Sequence, residues 1–367
     1  MTPLQPDNLL NGLLHVLIAF DWGGEVDMEW ARQLVPAEAK ALRRRKRTPS
    51  SFEYHPSPLY LPVDNVPLEI AELGTVSATA EVTVFDFAAA SVAMGVPFQL
   101  TPQALTRLAG SLADTEPFLR AARQAATPLF EKLRPAIQDA AWSPWSEEYF
   151  VFQLIPGAPL PTPPELLDQH ADWLAGLSSL EAGLLSKEEV NQSVRQRLSY
   201  SPDDLFLADW AAAILIDQDC DETLQIIEFA NLQLLEYRYL DHRMDNDLTQ
   251  ARRLIERQTT SLYPFWRTHM RPLRVLGQLK VEINDLFERT GNVLKLVGDQ
   301  YLARVYRTLS ARFHLETWER SIERKLDVLQ GIYQVLSDQA ATARNELLEI
   351  IIILLIAFEV VMSFVRH

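Results

Sequence analysis

The stretch LETWERSIERKLDVLQGIYQVLSDQAATARNELLEIIIILLIAFEVVMSFVRH, Leu315–His367, decides how the chain is organised. It has two halves. From Ile322 to Ile350 apolar or small residues fall at alternating steps of four and three: Ile322, Leu326, Leu329, Tyr333, Leu336, Ala340, Ala343, Leu347 and Ile350. That is a heptad seam, which needs a partner helix to bury it. From Leu347 to Val365 the seam widens until the segment is apolar all round. At ~1.5 Å per residue the rod reaches roughly 75 Å.

The apolar end has the length of a membrane span, which needs ~17–25 residues. Two acids interrupt it, Glu349 near the start and Glu359 in the middle. Its strong apolar residues together favour insertion by roughly 4–8 kcal/mol, and a central carboxylate costs about 2.5–3.5. The balance is small, and it improves if Glu359 faces a partner helix. The expectation is a transmembrane helix over 347–365. Its alternative is a helix buried at the centre of a soluble helical oligomer.

The remaining composition narrows the classes. A chain of 367 residues can hold two or three domains. Its formal charge of −15 argues against a general nucleic-acid binder. The single cysteine, Cys220, excludes an intrachain disulfide and any CxxC metal site. The N-terminus MTPLQPDNLLNGLLHVLIAFDW has no basic region ahead of its short apolar run, unlike a signal peptide. These features predict a large N-terminal part in the cytoplasm and a single-pass placement in the cell inner membrane.

Upstream of the rod, Leu13–Phe20, Thr79–Phe87, Ala88–Phe98 and Trp145–Ile155 read as strands. Val26–Leu34, Pro102–Ala113 and Pro117–Ala125 read as helices, the last two with proline at or near the first turn. TPSSFEYHPSPLYLP is kept extended by its prolines. After Pro163-Pro164 helices are expected at Glu165–Leu180, Ser186–Leu198, Pro202–Ile216 and Glu222–Gln258. A second seam, Leu276, Leu279, Ile283, Leu286, Thr290, Val293 and Val297, suggests an antiparallel helical hairpin with the rod.

Few residues suggest chemistry. Asp217, Asp219, Asp221, Glu222 and Glu228 resemble the start of a calcium loop, but Glu222 stands where the sharp turn needs glycine. A capped helix start explains them better. Asp241 and Asp245, with His242 beside them, could be drawn as a metal site. A solvated face laced with Arg238 and Arg243 ion pairs is the simpler account. HExxH, GxSxG, GxGxxG and Gly-rich phosphate loops are absent. One charge run stands out in this acidic chain: Arg43, Arg44, Arg45, Lys46 and Arg47. Such a run is either a solvated loop or a patch that attracts anionic lipid or, less favoured here, RNA phosphate.

The segment YLARVYRTLSARFHLETWERSIERKLDVLQGIYQVLSDQAATARNELLEIIIILLIAFEVV resembles the C-terminal part of the required-for-meiotic-nuclear-division family, once catalogued as a domain of unknown function. The likeness rests on Leu348-Glu349 running into an Ile/Leu-rich span with a second acid at Phe358-Glu359. Tyr301 and Tyr306 match a tyrosine-bearing element before the last helix. VFDFAAASVAMGVPF and WSEEYFVFQLI resemble the family's strand regions, although Ala88-Ala89-Ala90 replaces the usual glycine and aromatic residue. The resemblance covers about Thr79 to Phe364. It implies a tail-anchored, oligomerising membrane protein of bacterial type. Organellar relatives sit on the mitochondrial inner membrane and support translation as assemblies. The resemblance transfers no catalytic residue.

The expected architecture is an α+β domain over 1–160 with a small antiparallel sheet, then a helical domain over 161–262. A coiled-coil hairpin over 270–346 and the terminal transmembrane helix complete it. The expected function is a non-catalytic membrane scaffold that binds no cofactor, forms homo-oligomers through its C-terminal helices and recruits an unknown protein partner. A metal-dependent enzyme using one of the acidic clusters is the alternative.

Overall fold

The computed structural model describes residues 4–35, 56–259, 283, 287 and 300–365. It divides into two compact units, one of Met1–Tyr237 with Arg289–Glu316, the other of Arg238–Glu288 with Thr317–His367.

The first unit is built on one eight-stranded sheet. In chain order its strands are β1 (Leu10–Asp21), β2 (Leu59–Ile70), β3 (Gly74–Val84), β4 (Ala89–Leu100), β5 (Ser146–Leu154), β6 (Arg197–Leu198), β7 (Leu205–Ala208) and β8 (Ala212–Ile216). Across the sheet they run β2-β3-β4-β1-β5-β8-β7-β6. All neighbours are antiparallel except β5 and β8. That parallel pair needs a long crossover. It is supplied by α4 (Pro163–Gln169), α5 (Ala171–Ser179), α6 (Lys187–Arg195) and the short β6 and β7.

Period-two alternation gives each strand two faces. On β1, Leu10, Leu14, Val16, Ile18 and Phe20 join the main core, with Phe150 and Phe152 of β5 and Val92, Met94 and Val96 of β4. That face carries α1 (Met28–Leu34), α2 (Pro102–Ser111) and α3 (Glu116–Leu133). Asp27 caps α1 by accepting from the amides of Glu29 and Trp30 at 3.1 and 3.0 Å. In α3 the stripe Phe118, Ala122, Ala126 and Phe130 is buried, spaced one turn apart.

The opposite face is lined by small and polar residues, among them Ala19, Ser91 and Thr83, all buried. The first part of α7 (Asp221–Thr259) and α8 (Gln300–Arg312) belong to this unit and bring apolar side chains to it. Phe229 of α7 lies 6.0 Å from the Phe85 ring and 6.5 Å from that of Tyr306 on α8. The final helix, α9, spans Leu315–Val365. His314, at φ 52°, makes the left-handed turn between α8 and α9.

Three expectations are corrected here. The small antiparallel sheet is an eight-stranded mixed one. Pro202–Ile216 is not a helix but the hairpin β7–β8, buried on both faces. A short continuous apolar run such as LFLADWAAAILI carries no period that separates a buried strand from a buried helix. The third concerns the terminal transmembrane helix and the inner-membrane placement that depended on it. Among the described residues no helix is long and apolar enough to cross a membrane. Between Glu349 and Glu359 the apolar run is nine residues. That is ~14 Å of helix against the ~30 Å hydrocarbon core.

The end of the proline-rich stretch, Leu59–Pro62, is extended as the start of β2. The strand holds Pro62 and Pro67 because it lies at the edge of the sheet. Apart from Ile283 and Phe287, the second seam lies outside the described residues, as does the basic run Arg43–Arg47.

Candidate functional site

Strand register sets a row of side chains across five strands on the α7 face. Tyr60 stands opposite Thr83, Thr83 opposite Ser91, Ser91 opposite Ala19, and Ala19 opposite Glu147. α7 adds Glu228 and Asn231, one turn apart and both buried. The Asn231 side-chain amide donates to the Glu147 carbonyl at 3.1 Å.

Burial pushes the Glu228 carboxyl up to about 7, and the charge of Glu81 adds to the rise. The nearby hydroxyls of Ser91 and Thr83 act in the opposite direction and lower it. Burial also raises the Tyr60 phenol, with Glu228 and Glu81 contributing. The calcium-loop spacing, set aside in favour of a capped helix start, would make Glu228 the acid at the twelfth position. The fold instead turns it onto the sheet. Asp217 accepts from the Asp219 amide at 3.1 Å and so belongs to the turn leading into α7. Among the described residues no group of three or more His, Cys, Asp or Glu side chains is arranged to hold a metal ion.

α8 is locked by two polar clusters. The Tyr306 hydroxyl donates to Gln233 Oε1, and Gln233 Nε2 donates to the Tyr237 hydroxyl at 3.0 Å. Arg312 donates to the carbonyls of Ala208 and Gln192 at 3.1 and 3.3 Å. It also faces Asp209 at 3.6 Å. Tyr149 and Ser193 complete that cluster, donating to the Asp209 carbonyl at 2.8 Å and to its carboxylate at 2.9 Å. Gln233 and Arg312 carry no motif, and sequence inspection passes over them.

The second unit holds the later part of α7 and most of α9. Ser321 donates to Asp241 at 3.0 Å, and Lys325 pairs with Asp241 and Asp245 at 2.8 and 2.7 Å. Contacts that advance four residues on both helices mean that the two run parallel. Burial opposes the charge on Lys325, and the two acids outweigh it, so its pKa is raised. The pair read as a solvated face or a metal site thus binds one helix to the other.

Of the seam, Ile322, Leu326 and Leu329 are buried and Tyr333 is half-buried. Leu336 lies on the helix, with its side chain outside the described residues. Further along, the side chains become exposed. Ile350–Leu355, Ile356 and Phe358 range from 42% at Ile351 to 64% at Phe358, and Glu349 and Glu359 are exposed too.

These features define a sheet-based α/β unit joined to a helical unit with an uncovered apolar end. The chain belongs to the family described as "Uncharacterized protein MJ0711, N-terminal domain", whose profile matches residues 11–222. The uncharacterized protein MJ0711 of Methanocaldococcus jannaschii is 25% identical over 206 residues, which are 56% of this chain. The matched part is 62% of that relative, less than two thirds of its length. No solved structure matches the chain. The family match ends at the start of α7 and does not confirm the likeness of the tail to the required-for-meiotic-nuclear-division family.

Proposed function

We propose that this protein is a non-catalytic scaffold whose final helix self-associates and gathers several copies of the α/β unit. One observation carries the proposal: the apolar side chains of Ile350–Phe358 are exposed on every side of α9. Fully burying one such side chain is worth ~1.5–3 kcal/mol. These residues are already about half covered, so burying the rest of the five that can line one side (Ile350, Ile351, Ile353, Leu354 and Phe358) contributes on the order of 5 kcal/mol per chain. Summed over the associating copies, that is comparable to the ~4–15 kcal/mol lost on association. The likeness of the tail to the required-for-meiotic-nuclear-division family supports the same role, an assembly rather than a catalyst. The acids of the enzyme alternative have other work. Asp241 and Asp245 hold Lys325, and Glu228 is buried on the sheet-facing side of α7.

The test is capture. Two differently tagged full-length copies are co-expressed, and one tag is pulled down. The other copy should follow, and Ile350→Glu with Leu354→Glu should abolish its recovery. Recovery unchanged by the double variant contradicts the proposal.

A further inference from the structure

We infer that the copies meet through α9 as a parallel, in-register coiled coil of at least three chains, an inference that rests on the self-association proposed above. The buried Ile322, Leu326 and Leu329 fix the heptad frame as d, a and d. Continued without a break, the four–three spacing places Leu347 at a, Ile350 at d, Leu354 at a and Ala357 at d. In this frame Glu349 falls at c and Glu359 at f, both pointing away from the seam. The acids that cut the apolar run therefore leave the a/d seam intact.

Among the described residues of its own chain, α9 outruns α7. Lys325 is level with Asp245. α7 ends at Thr259, fourteen residues beyond Asp245, and so level with position 339 of α9. The remaining 26 residues to Val365 extend ~39 Å further. Other copies of this segment can cover it.

The number and direction follow from the frame. Leu347 and Leu354 at a with Ile350 between them at d favour three or more strands over two. Ile351 and Phe358 at e and Ile353 at g widen the apolar seam beyond what one partner covers. The segment is also graded, with Arg344, Glu346 and Glu349 ahead of the run Ile350–Phe358. In-register parallel packing sets like against like, whereas an antiparallel overlap lays charged residues against the apolar run. Ile352, Leu355 and Ile356 fall at f, b and c and form an outward apolar belt.

Variants of the full chain with one added cysteine test this. Cys220 is buried and serves as the uncross-linked background. Ile350→Cys and Leu354→Cys should each oxidise to a covalent dimer at least tenfold faster than Ile352→Cys. Equal rates, or a faster Ile352→Cys, overturn the frame. A parallel mass measurement separates the two levels. Oligomers without preference at positions 350 and 354 defeat this inference alone, and a single-chain mass defeats the self-association beneath it.

Discussion

Lys325 on α9 grips Asp241 on α7 twice, with its Nζ 2.8 Å from the carboxylate and 3.2 Å from the backbone carbonyl of the same residue. The same ammonium reaches Asp245, one turn further, at 2.7 Å. One cation thus neutralises two acids that would repel each other along α7. Lys325→Met leaves those acids unpaired and should destabilise the helical unit by about 1–2 kcal/mol. Adding Asp241→Asn should recover part of the loss. Urea unfolding of the three proteins measures both effects, and an unchanged midpoint for Lys325→Met contradicts the pairing.

Glu228 should make stability depend on pH. Its carboxyl titrates near 4.5 when unfolded and at about 7 when folded. The folded state therefore keeps its proton over that window while the unfolded state releases it. The stability of the neutral form is complete below about pH 4.5 and is lost as pH rises to about 7, by about 3 kcal/mol. Glu228→Gln removes this dependence. The variant should melt higher than the native protein at pH 8, with the gap narrowing towards pH 5. A gap that widens on acidification has the wrong sign for a buried carboxyl.

Gly12 in β1 should tolerate no side chain. An added Cβ would sit 2.2 Å from the Gln153 carbonyl oxygen and 2.4 Å from the Phe98 ring. Gly12→Ala should cost about 3 kcal/mol or more, because neither neighbouring strand can retreat without breaking the sheet. Gly74, at φ +69° with open space around it, is the contrast. Gly74→Ala should cost only about 1–2 kcal/mol of backbone strain. Chemical unfolding of both variants ranks them, and comparable losses would place the cause elsewhere.

Tyr306→Phe removes the hydroxyl that donates to Gln233 Oε1 inside the first unit. A buried acceptor left without a donor costs ~1–3 kcal/mol. Replacing both partners, Tyr306→Phe with Gln233→Met, should cost less than the sum of the single changes. A double-mutant cycle in thermal unfolding checks the coupling, and strict additivity would deny it.

Much of the fold was legible where periodicity is strong. β1, β3, β4 and β5 alternate or carry β-branched runs, and α7 and α9 keep helical spacing over many turns. β7 and β8 were not legible, because strands buried on both faces lose alternation and their alanines favour a helical interpretation. β2 was hidden by Pro62 and Pro67, which only an edge position accommodates. The candidate site was partly legible. The seam was readable from spacing, but the ends of the Lys325 pairs lie some 80 residues apart in sequence. Glu228 was readable as a helix residue, but its burial was not, because the sheet it faces is assembled from distant strands. The apolar end announced itself and suggested a membrane span, an inference that counted Glu349 and Glu359 as a cost to be offset rather than as the ends of a nine-residue run.

Sedimentation equilibrium on the full-length chain tests the central claim most directly. The claim predicts a mass of at least three times the 41.8 kDa chain at micromolar concentration. It also predicts a shift to the single-chain mass in Leu354→Glu with the helical circular dichroism of the folded protein retained. A native protein that sediments as one or two chains, or a Leu354→Glu variant that assembles as well as the native one, would contradict it.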